Sequence, residues 1–114
     1  MSQLATETFT EVEHPMASAE IELLVTQLPD WKLVSEHDLP KLTRRYTFEN
    51  FLLALDFCNA VGSLAEECNH HPLMSMTWGV ADIQWWTHSI QGLHRNDFIM
   101  AAQTEALYRK RVGI

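Results

Sequence analysis

Residues 66–97 read EECNHHPLMSMTWGVADIQWWTHSIQGLHRND, and this stretch decides the fold. Two alternating runs, residues 73–78 and 82–88, flank Gly79-Val80, and a glycine first in a two-residue loop favours a type II′ turn. We therefore predict an antiparallel β-hairpin. Side-chain alternation places Met74, Met76 and Trp78 on one face of the first strand, and Gln84, Trp86 and His88 on one face of the second. Both faces carry large apolar groups, so we expect one face to contact helices and the other a ligand or partner.

The segment before this hairpin predicts the longest helix of the chain. Asn50 is a suitable N-cap, and Pro72 is expected to end the helix. One apolar stripe at three-and-four spacing consists of Phe51, Ala54, Leu55, Cys58, Val61, Gly62, Ala65 and Cys68. A second apolar row consists of Leu53, Phe57, Ala60 and Leu64. Two apolar faces indicate packing on the sheet and on either a neighbouring helix or another subunit, and the sequence leaves that choice open.

The remaining elements follow from the same patterns. Residues 18–28 have helical periodicity after Ser18, a candidate cap, and Pro29 stops that helix. Residues 31–35 and 41–48 predict a first hairpin around the polar residues 36–40. A last helix is predicted from about Asn96 to Arg111. The predicted order is α-β-β-α-β-β-α in one domain, residues 16–114, and residues 1–15 are expected to be a mobile lead-in because they lack a sustained apolar period.

Composition restricts the class of protein. A chain of 114 residues with 46% hydrophobic residues is long enough for one globular core, and no apolar run is long enough to cross a bilayer. A net charge of −7 disfavours a nucleic-acid partner. The first residues do not resemble a secretion signal, so a cytoplasmic location is expected. Cys58 and Cys68 fall about 15 Å apart along one predicted helix, which excludes a disulfide between them.

Several polar side chains of the opening stretch are candidates for proton transfer. His70 and His71 come at the predicted helix end, where the chain turns and both rings can face one pocket. Glu66 precedes His70 by four residues, so its carboxylate is expected to orient the His70 ring. An isolated Glu-x3-His is more often structural, and His88 alone is more often a satisfied structural histidine. Zinc bound by Cys68 and the three histidines is an alternative, although adjacent histidines rarely ligate one ion and no Cys-x2-Cys pair is present.

The complete pattern is more specific than its parts. It reads Glu66-x3-His70-His71-Pro72-x5-Trp78-x9-His88-x8-Asp97, and it resembles the hallmark of the pterin-4a-carbinolamine dehydratases. The resemblance extends to residues 28–31 (LPDW), 46–51 (YTFENF), 87–88 (TH) and 92–93 (GL), and covers roughly residues 16–110. Two positions differ from the usual family pattern. Met74 stands where an aromatic residue is common, and Ser89 where an acidic residue is common.

The resemblance implies an α+β fold, a four-stranded antiparallel sheet with three helices packed on one face. It implies a lyase that dehydrates a 4a-hydroxytetrahydropterin to a quinonoid dihydropterin in tetrahydrobiopterin recycling, by histidine acid–base chemistry without a metal or a bound cofactor. His71 and His88 are the expected acid–base pair, and His70 an assisting group that contacts the pterin. Asp97 is expected to support the site from the start of the last helix. The implied substrate-binding residues are Pro72, Met74, Trp78, Thr87 and Ser89.

The resemblance also implies partners and alternatives. A homodimer or homotetramer and a functional link to an aromatic amino acid hydroxylase are expected. Some dehydratases of this family also act as dimerisation cofactors of a transcription factor, so a protein-binding role is the first alternative. Another pterin pathway, such as molybdenum-cofactor metabolism, is the second.

Overall fold

The computed structural model describes residues 3–10 and 14–113. Its helices are α1 (Ser18–Val25), α2 (Phe51–Cys68) and α3 (Arg95–Val112), and its strands are β1 (Lys32–Glu36), β2 (Leu39–Thr47), β3 (Leu73–Thr77) and β4 (Val80–Trp85). Two short 3-10 helices cover Gln3–Thr6 and His88–Ile90. The four strands form one antiparallel sheet in the order β1-β2-β4-β3. This architecture confirms the predicted α+β fold and its order of elements.

The core lies between the sheet and the helices. Along β4, Ala81, Ile83 and Trp85 are buried while the residues between them are only partly covered, which is the alternation expected of a strand with one face on the core. The other face of the sheet is largely polar. There Lys41 lies 4.3 Å above the ring of Trp86, and Arg45 on β2 forms an ion pair with Asp82 on β4. The described residues contain no helix long and apolar enough to span a membrane.

Local signals set the ends of α2 and α3. The Asn50 side chain accepts a hydrogen bond from the Leu53 amide at 2.9 Å, which confirms the predicted N-cap. The prediction that Pro72 ends α2 is wrong by three residues, because Asn69 already adopts the left-handed conformation with φ 50°. At the start of α3, His94 and Asp97 form a capping box, and Gly113, with φ 78°, follows its end.

The turn of the second hairpin lies one residue earlier than predicted. Thr77 pairs with Val80, so Trp78 and Gly79 form the loop, and Trp78 takes the positive φ of 51°. Gly79 is required for a different reason. Its carbonyl accepts a hydrogen bond from the Phe48 amide at 2.7 Å, and a Cβ at Gly79 would overlap the Phe48 carbonyl oxygen. The hairpin therefore packs directly against the connection between β2 and α2.

The two apolar rows of α2 do not divide as the sequence suggested. Phe57, assigned to the second row, is completely buried in the core of the domain. The exposed apolar side chains at the start of the helix come from both rows and from Leu52, which belongs to neither; the exposed fractions are 49% for Phe51, 73% for Leu52, 46% for Leu53 and 37% for Leu55. Burial on α2 is confined to one stripe that takes residues from both rows, namely Ala54, Phe57, Cys58, Val61 and Ala65.

Residues 3–10 of the predicted mobile lead-in, which we call the N-terminal arm, pack against the domain. Leu4 is fully buried in the core, and Glu7 forms two hydrogen bonds of 2.7 Å with the Arg95 guanidinium. Periodicity could not reveal this packing, because the arm contributes isolated contacts to α3 rather than a regular stripe. Residues 1–2 and 11–13 of the predicted lead-in lie outside the described part of the chain.

One buried carboxylate ties α3 to the first hairpin. Glu105 accepts hydrogen bonds from the Trp31 indole at 3.2 Å, from the Tyr46 hydroxyl at 2.9 Å and from Arg44 at 2.9 and 3.1 Å. Burial alone would raise the pKa of Glu105, but the hydrogen bonds from Arg44, Tyr46 and Trp31 outweigh it, and the pKa is lowered. Burial is also the main reason that the pKa of Tyr46 is strongly raised, so Tyr46 donates to the carboxylate.

Candidate active site

An open cleft of about 400 Å³ lies between the end of α2 and the segment that follows β4. Its lining consists of Asn69, His70, His71, Thr87, His88 and Ser89. The structure thus brings together the three histidines that the sequence predicted, although His88 is 17 residues away from His71 along the chain. The antiparallel return of β4 beside β3 carries His88 back to the end of α2.

His70 forms a buried pair with Asp97. Its Nε2 lies 2.6 Å from the Asp97 Oδ1, with the His70 side chain 13% exposed and Asp97 fully buried. The other oxygen of Asp97 accepts a hydrogen bond from the Thr87 hydroxyl at 2.7 Å and from the His94 amide at 2.9 Å. Because an ionised carboxylate only accepts, Nε2 of His70 donates the hydrogen bond to Asp97, and Nδ1 is the nitrogen that Asp97 does not engage.

Aromatic rings hold His70 from two further directions. The imidazole stacks on the Trp85 ring at 5.6 Å between centroids with 16° between planes. The Phe9 ring approaches it edge-on at 5.9 Å and 87°. The orientation of His70 is therefore fixed by a hydrogen bond and two ring contacts before any ligand binds.

His71 pairs with Glu66 at the surface. The distance from its Nε2 to the Glu66 Oε1 is 2.6 Å, and the two side chains are 52% and 80% exposed. The expectation that Glu66 orients His70 is therefore wrong. Helical spacing fails at this point because the left-handed Asn69 redirects the chain, which turns His70 towards Asp97 and leaves His71 beside Glu66.

His88 begins a 3-10 helix instead of ending a strand. β4 ends at Trp85, and the isolated pairing of Thr87 with Gly92 closes a short loop that carries His88 and Ser89. The His88 ring packs at a tilt on Trp86, 4.5 Å between centroids. The prediction of a strand through residue 88 is wrong because the Thr87–Gly92 pairing diverts the chain from the sheet.

Three of the predicted substrate-binding residues do not line the cleft. Pro72 is partly buried, and Met74 packs against the core beneath the sheet. Trp78 lies at the far end of β3, about 17 Å along a five-residue strand, and is 73% exposed. The sequence did not suggest Asn69 as a lining residue. Its position before two histidines at a helix end, where asparagine often takes the left-handed conformation, is the signal that identifies it.

The donor set argues against a metal centre. Within residues 3–10 and 14–113, no three His, Cys, Asp or Glu side chains are arranged to hold a metal ion. Burial, with the Glu67 charge, raises the pKa of the Cys68 thiol, which disfavours the thiolate that zinc requires.

Comparison with known protein families decides the classification. The family model described as pterin 4 alpha carbinolamine dehydratase matches residues 14–107. The chain belongs to this family. This membership agrees with the resemblance found in the sequence and supports a dehydratase that acts on a pterin.

Relatives of this dehydratase family match most of the chain. A Chlorobium limicola protein named "Putative pterin-4-alpha-carbinolamine dehydratase" is 50% identical over 98 residues, which are 86% of this chain and 87% of the relative. A Syntrophotalea carbinolica protein of the same name is 51% identical over 94 residues, 82% of this chain and 84% of the relative.

Solved structures with the same fold have more varied descriptions. A transcriptional coactivator/pterin dehydratase from Brucella melitensis superposes with a TM-score of 0.76 at 24% identity, over 83% of this chain and 99% of the other. A pterin dehydratase-like protein described as a RuBisCO assembly factor in the alpha-carboxysome superposes with a TM-score of 0.60 at 22% identity, over 69% of this chain and 89% of the other. At these identities the likeness concerns the fold alone.

Proposed function

We propose that this protein catalyses the dehydration of a 4a-hydroxytetrahydropterin to quinonoid dihydropterin by histidine acid–base catalysis. One observation carries the proposal: three histidines surround a single open cleft, and two of them have a ring nitrogen engaged by a carboxylate. The family membership supplies the substrate class. The reaction needs one group that protonates the departing C4a hydroxyl, which leaves as water, and one that takes the N5 proton.

We assign the proton transfers to His71 and His88. Both are exposed at the cleft, so they can exchange protons with water between turnovers. Glu66 holds Nε2 of His71 and leaves its Nδ1 as the reactive nitrogen. His70 is the least mobile of the three because Asp97 and two aromatic rings hold it, which suits a group that orients the pterin.

The cleft has the size and polarity for a pterin. Its volume of about 400 Å³ falls within the range of roughly 300–1,000 Å³ common for small-molecule sites. The His88 side chain and Ser89 offer polar groups along one wall, beside Thr87, where the donor and acceptor edge of a pterin ring would bind. Proton transfer between histidines and water requires no metal and no bound cofactor.

The physiological setting follows from the substrate. We propose a role in tetrahydrobiopterin recycling in the cytoplasm, downstream of an aromatic amino acid hydroxylase that releases the carbinolamine. We also propose that the protein is a homo-oligomer, because Phe51, Leu52, Leu53 and Leu55 form an exposed apolar surface at the start of α2. Light scattering after size exclusion should give a dimer or tetramer, and Leu52→Glu should shift it towards the monomer.

A kinetic assay tests the proposed reaction. The carbinolamine is generated in situ and its dehydration is followed by absorbance, with wild type, His71→Ala and His88→Ala. Each substitution should slow turnover by about two to four orders of magnitude, the usual contribution of a positioned acid or base. His14→Ala is the matched control, since His14 is exposed and does not line the cleft, and it should leave the rate unchanged.

The outcomes separate the function from the site. Wild-type rates equal to those in buffer would refute dehydration and favour a protein-binding role for the apolar surface of α2. Normal rates in both His71→Ala and His88→Ala would instead refute the assignment of the catalytic pair.

A further inference from the structure

We infer that Phe9, on the N-terminal arm, is a positioning residue for His70, so that residues outside the family-matched region 14–107 complete the active site. The inference rests on the proposed function, in which His70 orients the pterin. Phe9 touches His70 rather than the substrate, and it acts by limiting where the imidazole can lie.

The arm is anchored firmly enough to hold a side chain in place. Leu4 is fully buried, and the Gln103 side chain donates to the Ala5 carbonyl at 3.3 Å. Next along the arm, Glu7 forms its paired hydrogen bonds with Arg95. That hydrogen bonding lowers the pKa of the Glu7 carboxyl, so the pair stays ionised at neutral pH.

The end of the arm is fixed by Asn96, which is only 3% exposed. Its side-chain oxygen accepts from the Thr10 amide at 3.1 Å, and its side-chain nitrogen donates to the Thr10 carbonyl at 2.9 Å. Phe9 therefore lies between two anchored residues, Glu7 and Thr10. The partners of these two residues, Arg95 and Asn96, are on the first turn of α3, the turn that also provides Asp97.

His70 needs a third contact to be fully oriented. The hydrogen bond to Asp97 fixes Nε2, and the Trp85 ring supports one side of the imidazole. Neither contact prevents the ring from tilting away from Trp85 about the Nε2 position. The Phe9 ring, 5.9 Å from the imidazole between centroids and nearly perpendicular to it, is a third contact that restricts this motion. Small displacements of a positioned group are costly to catalysis, so loss of this contact should reduce turnover.

The kinetic test compares Phe9→Ala, Phe9→Leu and Phe9→Tyr in the full-length protein. The free energy of a typical edge-to-face ring contact, lost from the transition state, corresponds to a decrease in kcat of about three- to tenfold. We expect this decrease in the alanine and leucine variants, with KM within about twofold of wild type. Leucine preserves apolar volume and so keeps the protein folded, while tyrosine keeps the ring and should restore kcat. Gln103→Ala removes only the hydrogen bond at Ala5, while Glu7 and Thr10 still anchor the arm on either side of Phe9, so it should behave as wild type.

A spectroscopic measurement gives an answer that does not depend on activity. The His70 ring protons are shifted by the ring currents of Phe9 and Trp85, so Phe9→Leu should move their NMR signals while Gln103→Ala leaves them in place. Unchanged His70 signals in Phe9→Leu would overturn the inference, as would equal losses of kcat in Phe9→Leu and Gln103→Ala. If wild type lacks dehydratase activity, the proposed function fails and the NMR comparison alone decides the role of Phe9.

Discussion

Replacing Glu105 by glutamine should destabilise the protein by about 2–4 kcal/mol. Removing one member of a buried ion pair costs about 3–5 kcal/mol, because the remaining charge stays buried. Only 18% of the Arg44 side chain is exposed. In the variant, the two Arg44 groups that donate to Glu105 would meet one oxygen that accepts and one amide nitrogen that itself donates. The expected loss of stability is smaller than that of a fully unpaired buried charge for two reasons. The glutamine oxygen can still accept from Trp31 and Tyr46, and Asp30, 4.0 Å from Arg44, still offers that arginine a negative charge.

The pH dependence of stability provides the second part of this prediction. The pKa of Glu105 is lowered on folding from its ordinary value of 4.5, so the folded state binds its proton less readily than the unfolded state. Its contribution is therefore fully present above about pH 4.5 and is lost as the pH falls through the folded pKa. Glu105→Gln should remove this part of the acid destabilisation.

Urea unfolding between pH 3 and 7 measures both effects, with Asp56→Asn as the matched control. Asp56 also pairs with an arginine, Arg111 at 2.8 Å, but its side chain is 63% exposed, so its loss should cost less than about 1 kcal/mol. Equal free energies of unfolding for Glu105→Gln and Asp56→Asn would refute the reasoning. So would a Glu105→Gln variant with the same acid dependence as wild type.

Three further substitutions test other parts of the structure. Asp97→Asn places an amide donor among groups that donate, so we expect a loss of about 2–4 kcal/mol in urea unfolding and a broadened His70 signal in NMR spectra; wild-type stability would contradict the pairing. Gly79→Ala should cost about 1–3 kcal/mol because its Cβ meets the Phe48 carbonyl, and an unchanged melting temperature would exclude that contact. Leu4→Ala should lower stability by about 2–5 kcal/mol, whereas a neutral effect in thermal unfolding would mean that the arm is not packed.

Sequence patterns predicted the elements of this fold because their signals are local. The stripe of α2 and the cap at Asn50 depend on residues within a few positions of one another, and both appear in the structure. The hairpin strands were placed within two residues for the same reason, except that β4 ends three residues earlier than predicted. Packing over a longer range was not predictable. Leu4 lies on a 3-10 helix that contacts α3, which begins about ninety positions later along the chain, and nothing near Leu4 in sequence indicates that it is buried.

In the candidate site, too, local signals were predictable and contacts between distant segments were not. The sequence identified all three histidines, but it paired Glu66 with His70 because it assumed that helical geometry continued to His70. The backbone at Asn69, with φ 50°, breaks that assumption and exchanges the partners. Phe9 was missed because its contact with His70 joins two segments that no periodicity relates. Pairings across a chain reversal depend on single backbone angles, which a sequence pattern does not specify.

The pairing of Thr87 with Gly92 has a consequence for how the cleft can vary. The two residues exchange main-chain hydrogen bonds of 2.8 and 3.4 Å, which close the neck of a loop whose four inner residues face outwards or sit partly exposed. Below the neck, the Thr87 hydroxyl is committed to Asp97. The loop is therefore held at its two ends by the Thr87–Gly92 pairing, and its inner residues are not part of the packed structure beneath it. Under the proposed function, we expect exchange of Ser89, or of residues 89–91 together, to alter substrate preference while the structure beneath the loop keeps its stability.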